Sequence, residues 1–213
     1  IVDLPLINYI AGTGKPIIMS TGMASEIEIE EAVSTARDAG CEQLALLHCV
    51  SSYPTPLQQA NIKQISNLTN RFNTITGLSD HTLGTIASVA AVAKGASLIE
   101  KHFTLSRQDK GPDSEFSLEP DELKKLCEDT KDAWLSLGKE SFDRQKAEDR
   151  SKIFRRSLYF IKNLSKGHIL KPGDIKRIRP GNGIPPKNYK KIIGKKLAKD
   201  VIRGQAVSFK DFD

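Results

Sequence analysis

The chain has 213 residues with 32 Lys+Arg against 26 Asp+Glu, a formal charge of +6. Residues 1–150 hold 15 basic and 22 acidic side chains, net −7, whereas residues 151–213 hold 17 and 4, net +13, so the total conceals two unlike regions. A composition of 38% hydrophobic and 27% charged residues excludes disordered and fibrous classes. The longest apolar stretch, Ala87–Ala93, ends at Lys94 and is far short of the ~20 residues that cross a bilayer.

The chain opens on Ile1 without a basic n-region or apolar h-region. Ile1-Val-Asp-Leu-Pro-Leu6 reads as the middle of a protein, so a longer parent is expected. Cys41, Cys49 and Cys127 have no CxxC spacing. They are expected to be buried thiols of a reducing cytoplasm, neither a disulfide framework nor a zinc site.

Lys15–Ser20 is a short apolar run suited to a strand buried on both faces. Ser25 and Glu28 have capping-box spacing, Ile29, Ala32, Val33 and Ala36 follow with helical period, and Gly40 supplies the stop. A second strand, Leu44–Cys49, enters the turn-rich segment 51–56. A third, Asn73–Gly77, runs into Leu78-Ser-Asp-His81. An Ala-rich helix over 83–94 and a fourth strand over 96–102 come next. Pro120 then opens a helix whose one face carries Leu123, Leu126, Cys127, Trp134 and Leu137. Strand–helix units in succession imply a parallel α/β sheet, closed either as an open doubly wound sheet or as a (β/α) barrel. Chemistry then lies at the C-terminal strand ends, where Ser20, Cys49–Ser51, Ser79–His81 and His102 fall.

Glu140–Lys152 is polar and reads as a linker between a domain at 1–139 and another at 153–213. Within the second, Lys166-Gly-His-Ile-Leu-Lys-Pro-Gly-Asp-Ile175 aligns without gaps on Arg203-Gly-Gln-Ala-Val-Ser-Phe-Lys-Asp-Phe212. The echo predicts a small, mostly β, pseudo-symmetric domain of about 60 residues, a size at which a core is marginal. Its 17 basic residues would suit a polyanion-binding module, read through retention on heparin or DNA with steep salt dependence. The aromatics there follow no RNP or zinc-finger pattern, so nucleic acid is disfavoured.

Gly12-Thr-Gly-Lys-Pro16 fails the Walker pattern, because Pro16 follows the lysine and a strand follows that. His81 and His102 lie 21 residues apart, one strand–helix repeat, each ending a predicted strand. Neighbouring strands are ~4.8 Å apart, so both imidazoles can converge on one rim site and hold a divalent metal with open positions. The alternative is two unrelated histidines, one capping a helix and one paired with a carboxylate. His48 and His168 read as structural or solvated. Ser20, Thr21, Ser51, Ser52 and Ser79 place hydroxyls at successive strand ends, suited either to phosphate or to ordinary N-capping.

Lys15–Met23, Leu47-His-Cys-Val-Ser-Ser-Tyr-Pro-Thr-Pro56, Gly77-Leu-Ser-Asp-His-Thr-Leu83, Glu100-Lys-His-Phe-Thr104, Gly111-Pro-Asp113 and Arg179-Pro-Gly-Asn-Gly183 together resemble the motif series of the sialic acid synthase (nonulosonic acid synthase) family. Ser51-Ser52, Gly84 and Phe116-Ser-Leu-Glu-Pro-Asp-Glu122 bring the chain nearest its pseudaminic acid branch; the sialic, legionaminic and spore-coat polysaccharide branches share most of the motifs. The resemblance implies the C-terminal half of a (β/α)8 TIM barrel, followed by an antifreeze-like SAF domain of β-clip type. It implies condensation of phosphoenolpyruvate with an N-acetylated hexose to a nine-carbon acid plus phosphate. By motif, His81 and His102 would bind Mn²⁺ or Mg²⁺, and Ser20, Ser51 and Ser79 would hold phosphoenolpyruvate. Tyr53 and Asp113 would line the sugar site, with Arg179 reaching it from the small domain of a partner in a homodimer. The family's catalytic glutamates are expected upstream, which would leave this stretch inactive alone.

Overall fold

A computed structural model describes all 213 residues as two compact units, Ile1–Lys139 and Glu140–Asp213. In the first, helix α1 (Leu4–Ala11) precedes strand β1 (Ile17–Ser20), helix α2 (Glu26–Asp38), strand β2 (Leu44–Cys49), helix α3 (Gln64–Phe72), strand β3 (Ile75–Asp80), helix α4 (Ile86–Ala93), strand β4 (Leu98–Lys101) and helix α5 (Pro120–Ser136). All strand pairs are parallel and the spatial order is β1-β2-β3-β4. The capping box forms as expected: Ser25 N–H donates to Glu28 at 2.7 Å and Glu28 N–H to Ser25 Oγ at 3.3 Å.

The sequential order and the helix side together decide between the two closures. Ile17, Met19, Leu44 and Leu46 pack with Ile7, Ile29, Ala32, Val33, Ala36, Leu68 and Phe72, drawn from α1, α2 and α3. Leu78 and Ile99 pack with Ile65, Ala87 and Ala91 from α3 and α4. By strand alternation these helix-contacting residues lie on one face of the sheet, and a doubly wound sheet would carry helices on both faces. The helices cover one face only, as in a barrel. The other face presents Ile18 and Ser20 of β1, Ala45, Leu47 and Cys49 of β2, Gly77 and Ser79 of β3, and Leu98 and Glu100 of β4.

Four sequence expectations need correction. Strand β1 is buried on one face only, with Ile18 of the other face 61% exposed. Helix α5 buries only Leu126; Trp134 and Leu137 of its apolar face are exposed, as is Cys127. That face, with Ile99 and Phe103, lines an open groove of about 990 Å³. Cys127 is therefore not a buried thiol, whereas Cys41 and Cys49 are. Helix α3 has no counterpart in the expected elements, although Ile65, Leu68 and Phe72 recur at helical spacing and are all buried. No helix is long and apolar enough to cross a membrane.

The second unit pairs strand β5 (Ser157–Phe160) antiparallel with β6 (Ile175–Ile178) and holds the one-turn helix α6 (Tyr189–Ile192). Its core contains Leu158, Phe160, Leu170, Ile175, Ile192, Leu197, Val201, Val207 and Phe212. The echo runs further than the sequence match, because a shift of 37 residues relates contacts as well as residues. Leu164 and Val201, related by that shift, bond to each other in both directions at 3.0 and 2.9 Å. Asn163 Oδ1 accepts from Arg203 N–H at 2.8 Å, and Asp200 Oδ1 accepts from Lys166 N–H at 2.7 Å. Asp174 caps one short 3-10 turn and pairs with Lys162; Asp211 caps the other and pairs with Lys199, both pairs at 2.9 Å. A pseudo-two-fold axis thus passes between Leu164 and Val201. Gly167 and Gly204, the equivalent turn residues, both have positive φ (89° and 87°), the region open to glycine at least cost.

Candidate active site

Register places His81 and His102 one residue beyond the last rung of β3 and β4, where Asp80 pairs with Lys101. Their rings lie 5.2 Å apart at 70°. Tyr53, from the loop after β2, packs 4.2 Å from the His81 ring and 5.7 Å from the His102 ring. Phe116, from the loop after β4, closes the cluster at 5.1 Å from His102 and 5.6 Å from Tyr53.

The backbone at this rim is held on all sides. Thr55 N–H donates to the His81 carbonyl at 2.9 Å and Leu118 N–H to the His102 carbonyl at 2.8 Å. The 103–119 loop is fastened by Arg107, whose N–H reaches Glu119 at 2.9 Å and whose guanidinium bonds Glu122. Ser117 Oγ donates to the Asp113 carbonyl at 2.7 Å. These bonds fix Asp113 and Phe116 against His102.

Each imidazole has an oxygen beside its Nδ1. His81 Nδ1 lies 3.0 Å from the Val50 carbonyl, which can only accept, so Nδ1 carries the proton and Nε2 keeps its lone pair. His102 Nδ1 faces the Asp113 carboxylate at 3.5 Å, an ion-pair distance longer than a hydrogen bond. A carbonyl or carboxylate behind Nδ1 is the usual support of a metal-ligating histidine. No group of three or more His, Cys, Asp or Glu side chains is gathered for a metal. The donor set fits a cation held by two nitrogens with its remaining positions filled by oxygens, as open catalytic sites require.

The hydroxyls are spread over the inner face. Ser79 Oγ donates to Glu100 at 2.6 Å, and the two are register partners directly below the histidines. Ser51 lies beside Gly22, where an added Cβ would come within 2.3 Å of Ser51 Oγ, so the loops after β1 and β2 meet closely there. Ser20 is exposed and pairs with Leu47, one inward-facing layer below Ser79. Arg179 follows β6 in the second unit and is exposed. The structure therefore gathers Tyr53, His81, His102 and Asp113, with Ser79 beneath them. Glu100 and Phe116 are additions to the motif reading. Glu100 was legible by period, since it stands two residues before His102 on one strand; Phe116 was not, because its position depends on how a loop folds back.

His48 and His168 are structural. Burial pushes His48 below the usual histidine range against the Ala60 carbonyl, 2.9 Å from Nε2, which favours the proton. His168 Nε2 lies 2.9 Å from Asp174.

Comparison with known proteins agrees with this architecture. The NeuB family model matches residues 1–142 and the SAF domain model residues 155–213. Pseudaminic acid synthase of Helicobacter pylori is 39% identical over 214 residues, covering 100% of this chain and 63% of that protein. N,N'-diacetyllegionaminic acid synthase of Campylobacter jejuni is 41% identical, covering 94% of this chain and 61% of its own length. The crystal structure of N-acetylneuraminic acid synthetase from Leptospira borgpetersenii, in complex with citrate, is 39% identical with a TM-score of 0.66, covering 70% of this chain and 52% of that one. A putative spore coat polysaccharide biosynthesis protein E from Chromobacterium violaceum shares the fold at 24% identity, with a TM-score of 0.73 over 99% of this chain and 64% of its own. The chain spans about six-tenths of the length of the curated relatives it matches, 63% in the first case. With four βα units whose helices cover one face, and a pseudo-symmetric β unit after them, the chain belongs to the NeuB family and carries half of its (β/α)8 barrel followed by a SAF domain.

Proposed function

We propose that this chain carries the metal-binding rim of a pseudaminic acid synthase-type enzyme, which joins phosphoenolpyruvate to an N-acetylated (2,4-diacetamido-trideoxy) hexose and releases phosphate. The observation that carries the reading is the pair of inclined imidazoles, His81 and His102, each with Nδ1 backed by an oxygen. Names of relatives at 39% and 41% identity support the substrate class.

In this reading His81 and His102 hold Mn²⁺ or Mg²⁺ through Nε2. When bound, the cation supplies Lewis acidity to the sugar's aldehyde oxygen. Ser20, Ser51 and Ser79 help hold phosphoenolpyruvate along the inner face, the Ser79 hydroxyl turning from Glu100 to do so. Tyr53 and Asp113 orient the sugar, and Arg179 reaches the site of a partner copy in a homodimer. A C–C bond forms between C3 of phosphoenolpyruvate and C1 of the sugar. Water then adds at C2 of the phosphoenolpyruvate moiety, and phosphate leaves with cleavage of its C–O bond. Glutamates of the other half of the parent's barrel supply the general base for that water, and Glu100 holds the Ser79 hydroxyl until phosphoenolpyruvate takes its place. We assign the barrel portion to 1–139, a linker to 140–152 and the SAF domain to 153–213, in a cytoplasmic enzyme.

The test is phosphate release by the full-length synthase carrying this sequence, in the presence of metal and sugar. His81→Ala and His102→Ala should each lower it by at least about 100-fold, beyond the loss typical of removing a ligand's supporting partner. Unchanged release in both variants would overturn the metal assignment. Mass spectrometry of products from a panel of N-acetylated hexoses identifies the sugar.

A further inference from the structure

We propose that Asp80 and Lys101, which the mechanism above does not use, are positioning residues that set the two histidines side by side; the inference rests on the metal reading of His81 and His102. Both lie on the helix-covered face at the last rung of β3 and β4, one residue before each histidine. Their side chains are 1% and 3% exposed and meet at 3.0 Å. Asp80 spends its other bonds close by. Its Oδ1 accepts from Thr82 N–H at 2.8 Å, and its Oδ2 accepts from the hydroxyl of Ser88, a fully buried residue of α4, at 2.6 Å. Lys101 Nζ donates to the Thr82 carbonyl.

The ion pair therefore grips Thr82 by both backbone polar groups, while its carboxylate is itself anchored on α4. Thr82 directly follows His81, so the backbone on either side of His81 is fixed: Asp80 in the sheet before it and Thr82 in the clamp after it. Lys101 carries the same constraint into β4 and thus to His102. A buried ion pair is not needed for stability, because apolar residues of equal volume usually serve as well or better. Apolar residues could not hold Thr82 N–H and C=O in one orientation. Directional bonding at a strand end that bears two metal-ligating rings is what the charge pair supplies.

The experiment compares the wild-type chain with Asp80→Leu/Lys101→Met, which removes both charges and leaves neither partner stranded. The ring-proton NMR signals of His81 and His102 are followed with and without Mn²⁺, with His48 and His168 as internal references. Wild type should show selective Mn²⁺ broadening at His81 and His102. The double variant should shift both rings in the metal-free chain and weaken the Mn²⁺ response about 10-fold, with His48 and His168 unmoved. A folded double variant whose His81 and His102 signals and Mn²⁺ response match wild type would overturn the inference. If the double variant does not fold by circular dichroism, Lys101→Met, which frees the Thr82 carbonyl while Asp80 keeps its bonds to Thr82 N–H and Ser88, takes its place with the same criteria. A wild-type chain whose histidines ignore Mn²⁺, while the variant still shifts the metal-free rings, would sink the metal reading and leave the positioning role standing.

Discussion

The two units solve the problem of a small core in opposite ways. The SAF unit closes on itself: Leu164, Lys166 and Asp174 each have a mate 37 residues away, and mates satisfy backbone groups across Leu164 and Val201. Its two buried carboxylates, Asp174 and Asp211, serve the closure by capping the two equivalent turns. The barrel unit buries a carboxylate and an ammonium at a strand end, beside two histidines, and leaves Ile18 of its inner face and Trp134 of its last helix in the open. Buried charge is an architectural device in one unit and an instrument of the site in the other. Mutations should separate the two uses.

The largest effect is expected from stranding a buried charge in the barrel unit. Asp80→Ala leaves the Lys101 ammonium 3% exposed and without its counter-ion, which costs about 3–5 kcal/mol. Denaturant unfolding should show the barrel transition moving to lower denaturant with the SAF transition in place. In the SAF unit the comparable loss comes from packing. Leu170 is 1% exposed, and Leu170→Ala should cost about 2–5 kcal/mol in the SAF transition alone. Coincident movement of both transitions in either variant would show that the units do not unfold separately.

A smaller effect should distinguish the two halves of the SAF unit from each other. Burial opposes ionisation of Asp174, but hydrogen bonds from His168, Lys162 and the Lys171 N–H outweigh it and hold the carboxyl at about 2, against an ordinary 3.8. A depressed carboxylate contributes stability that is complete above its unfolded value and is lost as pH falls toward its folded one. For Asp174 that window runs from about 3.8 down to about 2. The residue equivalent to His168 is Gln205, whose Oε1 accepts from Ile202 N–H and makes no bond to Asp211. His168→Gln thus writes the second half's residue into the first. Acid unfolding of the SAF unit should begin roughly half a pH unit higher, read by circular dichroism between pH 5 and pH 2. An unmoved acid limb would show that Lys162 and the cap alone depress Asp174.

How much of this was readable beforehand follows from where each signal lies along the chain. The capping box at Ser25 and Glu28 is local, so it was legible and formed. The convergence of His81 and His102 was legible because one strand–helix repeat separates them and parallel register does the rest. The SAF echo was visible as ten aligned residues, but in its reciprocal bonds the acceptors, Asn163 for Arg203 and Asp200 for Lys166, lie outside the aligned stretch. Helix α3 escaped because its apolar residues are only Ile65, Leu68 and Phe72 amid polar neighbours, a face just wide enough to be buried. The clamp of Asp80 and Lys101 on Thr82 was hidden for another reason. In sequence both charges look like solvated rim residues, and only strand alternation with α4 packed above turns them inward.

The smallest expected effect concerns the helix whose apolar face was read as buried. The face of α5 is apolar at the expected positions, but periodicity reports only that a face wants a partner, not that it has one. Trp134 is 65% exposed and is the chain's single tryptophan. Trp134→Ala should therefore change the stability of the barrel unit by less than about 0.5 kcal/mol, as for a surface position, while Leu126→Ala on the same helix, at 4% exposure, should cost about 2–5 kcal/mol. The wild-type fluorescence should be quenched efficiently by iodide. A protected tryptophan in a monomeric sample, or a Trp134→Ala cost approaching that of Leu126→Ala, would mean that the groove beside β4 is covered from within the chain. The ratio of the two costs then measures directly how much of an amphipathic pattern is packing and how much is surface still awaiting contact.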